Sequence, residues 1–295
     1  MKRFRLLAAR RHGERIALEE GFTSFPIDPF AIADANEIIV EAKDPGAKGV
    51  SGGIIFNDAG AGIFYATDIT NEGFQRFTVA HELGHYFLEG HPEEILATAP
   101  IHMSRAGFTE GTSSIELEAD HFASGLLLPT RLVRQALGAS QVGLRGILDL
   151  ADAACCSITA SAIRAAECSE YPMAVIVSCG PDVRYAFLSE AFKRLDKLRF
   201  LRKDSPLPPG HTKAFNADSE NVARGKTACR QTSLAAWFSC MRSLDLDEEI
   251  VGLGKSGLTL TVLSSDVLAA HDDDGAEHEE AELIQSWTPR HAYGR

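Results

Sequence analysis

A chain of 295 residues has room for one large domain or two smaller ones, and its 45% hydrophobic and 24% charged content is that of a globular protein with a sizeable core. The formal charge of −12 argues against broad contact with nucleic acid or anionic membranes, and no stretch approaches the ~18 apolar residues of a membrane span. The six cysteines, at 155, 156, 168, 179, 229 and 240, have no C-x-x-C spacing, which excludes a local zinc knuckle or redox pair and leaves reduced thiols as the expectation.

After the basic start Met1-Lys2-Arg3-Phe4-Arg5, Arg10 and Arg11 interrupt the apolar run too soon for a signal peptide, so a cytoplasmic location is expected. Composition over 5–19 predicts a first helix. Pro26 and Pro29 punctuate the entry to a short helix over 30–35, and Glu37-Ile38-Ile39-Val40-Glu41 reads as a strand. Residues 54–56 and 62–65 bracket Asn57-Asp58-Ala59-Gly60, the pattern of a hairpin. A small sheet is therefore expected before residue 71.

The stretch that follows carries chemistry. Asn71 is placed to cap a helix, with Glu72 in its first turn, and Phe74, Phe77, Ala80, Gly84 and Phe87 recur at helical spacing as a buried stripe. Gly90 suits the residue after the helix, and Pro92 blocks continuation. His81-Glu82-Leu83-Gly84-His85 falls mid-helix. At about 100° per residue, His81 and His85 share a face one turn apart and can present two imidazoles to one Zn²⁺. Glu82 stands about a quarter-turn away, placed to take a proton from a metal-activated water and not to bind the ion. The plain alternative is a chance match on a core helix, and the capped, amphipathic context argues against it.

A catalytic zinc site needs a third protein ligand. The candidate is Glu116, 31 residues after His85, in Glu116-Leu117-Glu118-Ala119-Asp120. Glu116 and Asp120 are four apart and share a helix face. Glu116 is expected to bind the metal, while Asp120 accepts the free ring N–H of a ligating histidine and fixes its tautomer. Ser113-x-x-Glu116 is also a capping-box pattern, in which Glu116 would serve only its own helix start. Glu118 reads as a solvated side chain. Residues 93–112 read as an irregular rim. His91 and His102 accompany it, and either could stabilise an oxyanion, with an exposed loop histidine the plainer reading of both.

Arg76-Phe77-Thr78-Val79-Ala80-His81-Glu82-Leu83-Gly84-His85, then Glu116-Leu117-Glu118-Ala119-Asp120-His121-Phe122-Ala123, then Leu126-Leu127-Leu128-Pro129, resemble in this order the ImmA/IrrE family of bacterial and phage zinc metallopeptidases. The resemblance covers residues 20–170. It implies His81, His85 and Glu116 as ligands of one Zn²⁺ per chain and Glu82 as the catalytic carboxylate. Asp120 matches a position where the family has Asn or Asp. The resemblance also implies a gluzincin-like core, an α+β arrangement of a small sheet and active-site helices. The sheet edge of such zincin-like folds can receive an extended peptide.

Beyond this core, helices are expected over 131–137, stopped by Gly138, over 142–153, and over 158–166 behind a Ser157 cap. The stretch 150–163 has the rhythm of a helix-turn-helix, but the second helix offers only Arg164 to a phosphate, so direct nucleic-acid binding is not expected. After Tyr171-Pro172, strands over 173–178, 184–188 and 258–263 and helices over 190–200 and near 233–243 suggest a small α/β domain. Residues 205–210 read as a loop. Gly252-Leu253-Gly254-Lys255-Ser256 lacks the first glycine of a phosphate loop and precedes a strand, not a helix. Residues 271–282 form an acidic run and read as a solvated tail.

The expected organisation is a zincin-like metallopeptidase core over 1–129, a helical, helix-turn-helix-like subdomain over 130–169, an α/β domain over 170–270 and a tail over 271–295. The expected function is a zinc-dependent endopeptidase acting on a cytoplasmic regulatory protein. The resemblance points to a helix-turn-helix transcriptional repressor as that partner. The alternatives are a general cytoplasmic peptidase, or a non-catalytic or ligand-sensing regulatory module on the same fold.

Overall fold

The computed structural model describes residues 2–44, 49–57, 60–68, 71–105, 114–238, 240–241 and 244–265. Among these, twelve α-helices and two β-sheets make an α+β protein. Its contacts divide into two compact units: residues up to Leu132 with Ala151–Ala160, and Val133–Leu150 with Ser161 onward.

The first unit opens with α1 (Lys2–Glu19) and α2 (Pro29–Ala35), followed by β1 (Ile39–Lys43), β2 (Val50–Asn57) and β3 (Gly60–Ala66). Asp28 starts α2 by accepting the Phe30 N–H at 3.0 Å, and Pro29 fills the first helical position, where a missing N–H leaves nothing unbonded. β2 and β3 form the expected antiparallel hairpin, and β1 runs parallel to β3. Next come α3 (Glu72–Phe87), α4 (His91–Leu96), β4 (Ile101–Arg105) and α5 (Ser114–Leu127).

The rim expected to be irregular over 93–112 is a correction. It holds most of α4 and all of β4, while residues 106–112 lie outside the described ones. A six-residue helix and a five-residue strand are too short for periodicity to announce them. Gly90, in the left-handed region at φ 84°, precedes α4, and Pro92 sits in its first turn, so the two residues expected only to end α3 also start the next helix. β4 pairs antiparallel with β2 and ends the strand order β1-β3-β2-β4.

Glycines let the helices of this unit approach. A Cβ on Gly84 of α3 would lie 3.0 Å from the Ala119 Cα of α5, so α3 and α5 pack backbone to backbone. On the other side of α5, a Cβ on Gly125 would lie 2.1 Å from the Arg10 carbonyl oxygen of α1. Gly125→Ala should therefore push α1 away from α5 and destabilise the unit by about 1–3 kcal/mol, the usual cost of overpacking, read as a lower denaturation midpoint. An unchanged midpoint would mean that α1 does not dock as described.

Helices α6 (Thr130–Gly138), α7 (Leu144–Ala154) and α8 (Ile158–Cys168) each give residues to both units. α6 ends at Gly138, and Ser157 caps α8 by accepting the Ala160 N–H at 3.1 Å, as the sequence leads one to expect. α8 is buried along most of its length. Its one basic side chain, Arg164, is 2% exposed and pairs with Glu167 at 2.6 Å, so this helix presents no cationic face to a groove.

The second unit contains β5 (Met173–Cys179), β6 (Asp182–Leu188), α9 (Glu190–Lys193), α10 (His211–Ala217), α11 (Ser219–Ala223), β7 (Thr227–Ser233), α12 (Leu234–Trp237), β8 (Asp245–Gly252) and β9 (Thr259–Ser264). Its sheet has the order β6-β5-β9-β8-β7 and is antiparallel throughout. The helix expected over 190–200 stops at Lys193, because Leu195, Leu198 and Phe200 turn in an irregular chain onto the core of Phe192 and Phe238. The helix expected near 233–243 shrinks to the single turn of α12. β8 escaped the sequence reading because Asp245, Asp247, Glu248 and Glu249 mask its alternation. Glu248 is fully buried and supplies the cap that Gly210 lacks, accepting the Thr212 N–H at 2.9 Å and its hydroxyl at 2.8 Å. Gly252 ends β8, and a short turn leads to β9 with no phosphate-binding helix. The acidic run over 271–282 lies outside the described residues. Among the described residues no single helix is long and apolar enough to cross a membrane, and none of the six cysteines forms a disulfide.

Candidate metal centre

Asn71 caps α3 as expected, its Oδ1 accepting the Phe74 N–H at 2.9 Å. From Arg76 to His85 every residue of the helix is buried, which holds His81, Glu82 and His85 on backbone with little freedom to move. The His81 and His85 Nε2 atoms turn toward one point, 3.2 Å apart. Glu116, in the first turn of α5, brings Oε1 to 3.2 Å from His85 Nε2 and Oε2 to 3.7 Å from His81 Nε2. One ligand atom from each of the three lies within 4.8 Å of the others. Two imidazole nitrogens and a carboxylate oxygen, converging from two packed helices, suit Zn²⁺ in both donor type and number. The residues fit the metal.

The groups behind these three are equally definite. With Nε2 turned to the centre, His81 donates its Nδ1–H to Asp120 Oδ1 at 2.8 Å. Asp120 lies one turn after Glu116 on the fully buried side of α5. Ser113, the residue that would make Glu116 a helix cap instead, lies outside the described ones, and the Glu116 carboxylate is engaged elsewhere. Glu82 is fully buried, and neither of its oxygens meets a well-aligned hydrogen-bond partner, the Ser104 hydroxyl included. A carboxylate left in that state on rigid backbone is placed for proton transfer.

Three side chains depart from the sequence reading. His102 is no exposed loop histidine. It stands on β4, where the alternation Ile101-His102-Met103-Ser104 turns Ile101 and Met103 outward, 45% and 56% exposed, and His102 toward the centre. Its Nε2 donates to Glu116 Oε1 at 2.7 Å, and its ring lies 4.6 Å from that of His85. That two-residue alternation is the signal that could have located it. His91 is fully buried, with its Nδ1 3.2 Å from His85 Nδ1. It follows His81 by ten residues, a spacing at which other H-E-x-x-H peptidases place a third ligand, yet here the ring lies behind His85 and away from the centre. Glu118, read as solvated, is only 7% exposed, with Oε1 3.2 Å from Arg5 Nε.

The electrostatics are those of a buried, mutually dependent cluster. Burial alone would lower the His81 imidazole, but the Asp120 hydrogen bond and the charges of Glu116 and Glu82 carry it above its ordinary value. His85 has no carboxylate at its back, and burial pushes it down to about 3 against the pull of Glu116. Burial would raise the Glu116 carboxyl, yet hydrogen bonds from His102 and His85 hold it far below the usual carboxylate range. The Glu82 carboxyl is pushed up by burial, against the attraction of His81 and His102. The two histidines of one motif thus differ in character because their partners differ.

Asp120→Ala removes the acceptor that fixes the His81 tautomer. Metal affinity should fall roughly 10–100-fold, the usual cost of losing such a partner, in a competition titration against a chelating dye. Asp120→Asn, which keeps an acceptor oxygen, should lose less. Wild-type affinity in Asp120→Ala would mean that His81 needs no such support.

Residues 42–151, which run from β1 into α7 and include His81, Glu82, His85, Glu116 and Asp120, match the family Peptidase_M78, the IrrE N-terminal-like domain. No curated relative matches the chain at a significant level. Among solved structures, a Mycobacterium tuberculosis transcriptional regulator aligns with a TM-score of 0.52 at 15% identity, covering 88% of this chain and 76% of that one, a likeness of fold alone. The match of residues 42–151 to the IrrE N-terminal-like domain supports membership of the ImmA/IrrE family.

Proposed function

We propose that the chain is a zinc-dependent endopeptidase, and that its substrate is a regulatory protein, a helix-turn-helix repressor, cut at one or few sites in the cytoplasm. The observation that carries this reading is the convergence of His81, His85 and Glu116 beside the buried carboxylate of Glu82. When bound, the metal supplies Lewis acidity toward water and a peptide carbonyl. Glu82 takes the proton of the attacking water and passes it to the leaving amine. His102, on the strand beside the centre, gives its Nε2–H to Glu116 in this structure and is placed to turn that hydrogen toward the oxygen on which negative charge develops. β4 ends its sheet, so an extended peptide can pair along it and bring a scissile bond past His102. Asp120 holds His81 in the tautomer the centre needs.

The choice of substrate rests on the family resemblance and on charge. A net charge of −12 favours encounter with a basic protein, and DNA-binding repressors are commonly basic. Six cysteines without a disulfide suit a reducing compartment. The test is to incubate the zinc-loaded protein with unfolded casein and with repressors encoded beside it, and to map products by mass spectrometry. Cleavage of one repressor at one or few bonds, with casein largely intact, is expected. Rapid multi-site digestion of casein with no preference for any repressor would leave a general peptidase.

A further inference from the structure

The two histidines of the motif are held from behind in different ways, and the difference has a chemical consequence. His81 leans directly on a carboxylate, that of Asp120 at 2.8 Å. His85 leans on another imidazole: its Nδ1 is 3.2 Å from His91 Nδ1, and both residues are fully buried. His91 Nε2 faces Glu118 Oε2 at 3.6 Å, too long for a well-formed hydrogen bond but close enough for the carboxylate charge to favour a hydrogen on that nitrogen. Glu118 stands two residues after Glu116, about 200° round α5, and its other oxygen meets Arg5 of α1 at 3.2 Å.

The hydrogens in this chain of groups run one way only. To ligate a metal His85 must give up the Nε2 hydrogen it shares with Glu116 and present a lone pair there, so in the loaded centre its hydrogen sits on Nδ1. The facing atom, His91 Nδ1, must then be the bare acceptor, which places the His91 hydrogen on Nε2, toward Glu118. If the His91 hydrogen moved to Nδ1, two N–H groups would face each other at 3.2 Å, or His85 would carry its hydrogen on the atom the metal requires. Glu118 is the group that decides between these arrangements, and Arg5 holds Glu118 in place.

We infer that His91 and Glu118 are positioning residues of the metal centre: Glu118 sets the tautomer of His91, and His91 through its Nδ1 sets the tautomer and ring orientation of His85. This rests on the metal centre proposed above. It assigns a task to a histidine that neither binds the ion nor meets the substrate, and to a carboxylate that sequence alone leaves on the surface.

Zn²⁺ affinity measured by dye competition, together with the visible d–d absorption of the Co²⁺-loaded protein and the melting temperature without metal, tests this. His91→Phe fills the space but removes the acceptor, and should weaken Zn²⁺ binding roughly 10–100-fold and alter the Co²⁺ band while the metal-free protein still melts cooperatively. His91→Asn places an acceptor at the position of Nδ1 and should restore most of the affinity. His91→Gln places its amide at the position of Nε2 and should behave like His91→Phe. Glu118→Met keeps the volume and removes the carboxylate charge that favours a hydrogen on His91 Nε2, so it should weaken binding in the same direction even if His91→Phe fails to fold. Wild-type affinity and an unchanged Co²⁺ band in Glu118→Met, or equal affinities for the Asn and Gln variants, would overturn the inference and leave His91 as packing. A wild-type protein that takes up no Zn²⁺ at all would overturn the centre itself, and this inference with it.

Discussion

Glu82→Gln should abolish peptide-bond cleavage while leaving fold and metal content untouched. Glutamine has the shape of glutamate, and Glu82 makes no well-aligned hydrogen bond whose loss would disturb its surroundings. What it removes is the proton acceptor. General-base transfer contributes roughly 10²–10⁴-fold, and the substituted chain should lose at least that much in its single-turnover rate. Burial keeps bulk water from substituting as the base, because Glu82 is fully enclosed among His81, His102 and Ser104. The same variant should hold its substrate uncut, so partners recovered with it from the native host would include the physiological target. Cleavage at near wild-type rate would show that Glu82 is not the base.

Glu116→Ala should cost the metal. The two histidines alone leave a centre with two protein ligands, below the three of a catalytic zinc site, and metal content should fall to near zero after dialysis. The loss is not one of charge alone. Glu116 is where α5 meets both α3 and β4, through His85 and His102, and its removal releases His102 from the only hydrogen bond described for its ring. The melting temperature of the metal-free protein should change little by comparison, because α5 stays anchored through Gly84–Ala119 and Gly125–Arg10. A Glu116→Ala chain that keeps full metal would move the third ligand elsewhere.

The elements that were legible in the sequence are those with long, capped patterns. α3 announced itself through Asn71, a five-member apolar stripe and the motif at its middle, and Glu116 and Asp120 followed from a four-residue spacing on α5. The β2–β3 hairpin and three strands of the second sheet were equally open to reading. What escaped is instructive in physical terms. α4 and β4 are too short to show a period, so His91 and His102 passed for loop side chains, although each meets a side chain of the centre, His85 at 3.2 Å and Glu116 at 2.7 Å. Glu118 passed for a solvated charge because nothing local predicts that Arg5, more than a hundred residues earlier, will meet it. β8 was hidden by carboxylates, one of which turns inward to cap a helix. In each case a long-range partner decided the outcome, and spacing along the chain carries no such information.

The central claim is that His81, His85 and Glu116 jointly hold one zinc ion beside Glu82. The most direct measurement is anomalous diffraction from crystals of the zinc-loaded protein, collected on both sides of the zinc absorption edge. The account predicts one strong peak per chain, within bonding distance of His81 Nε2, His85 Nε2 and a Glu116 oxygen, and absent from Glu116→Ala crystals. A fully loaded protein whose anomalous peak lies away from these three side chains would contradict it.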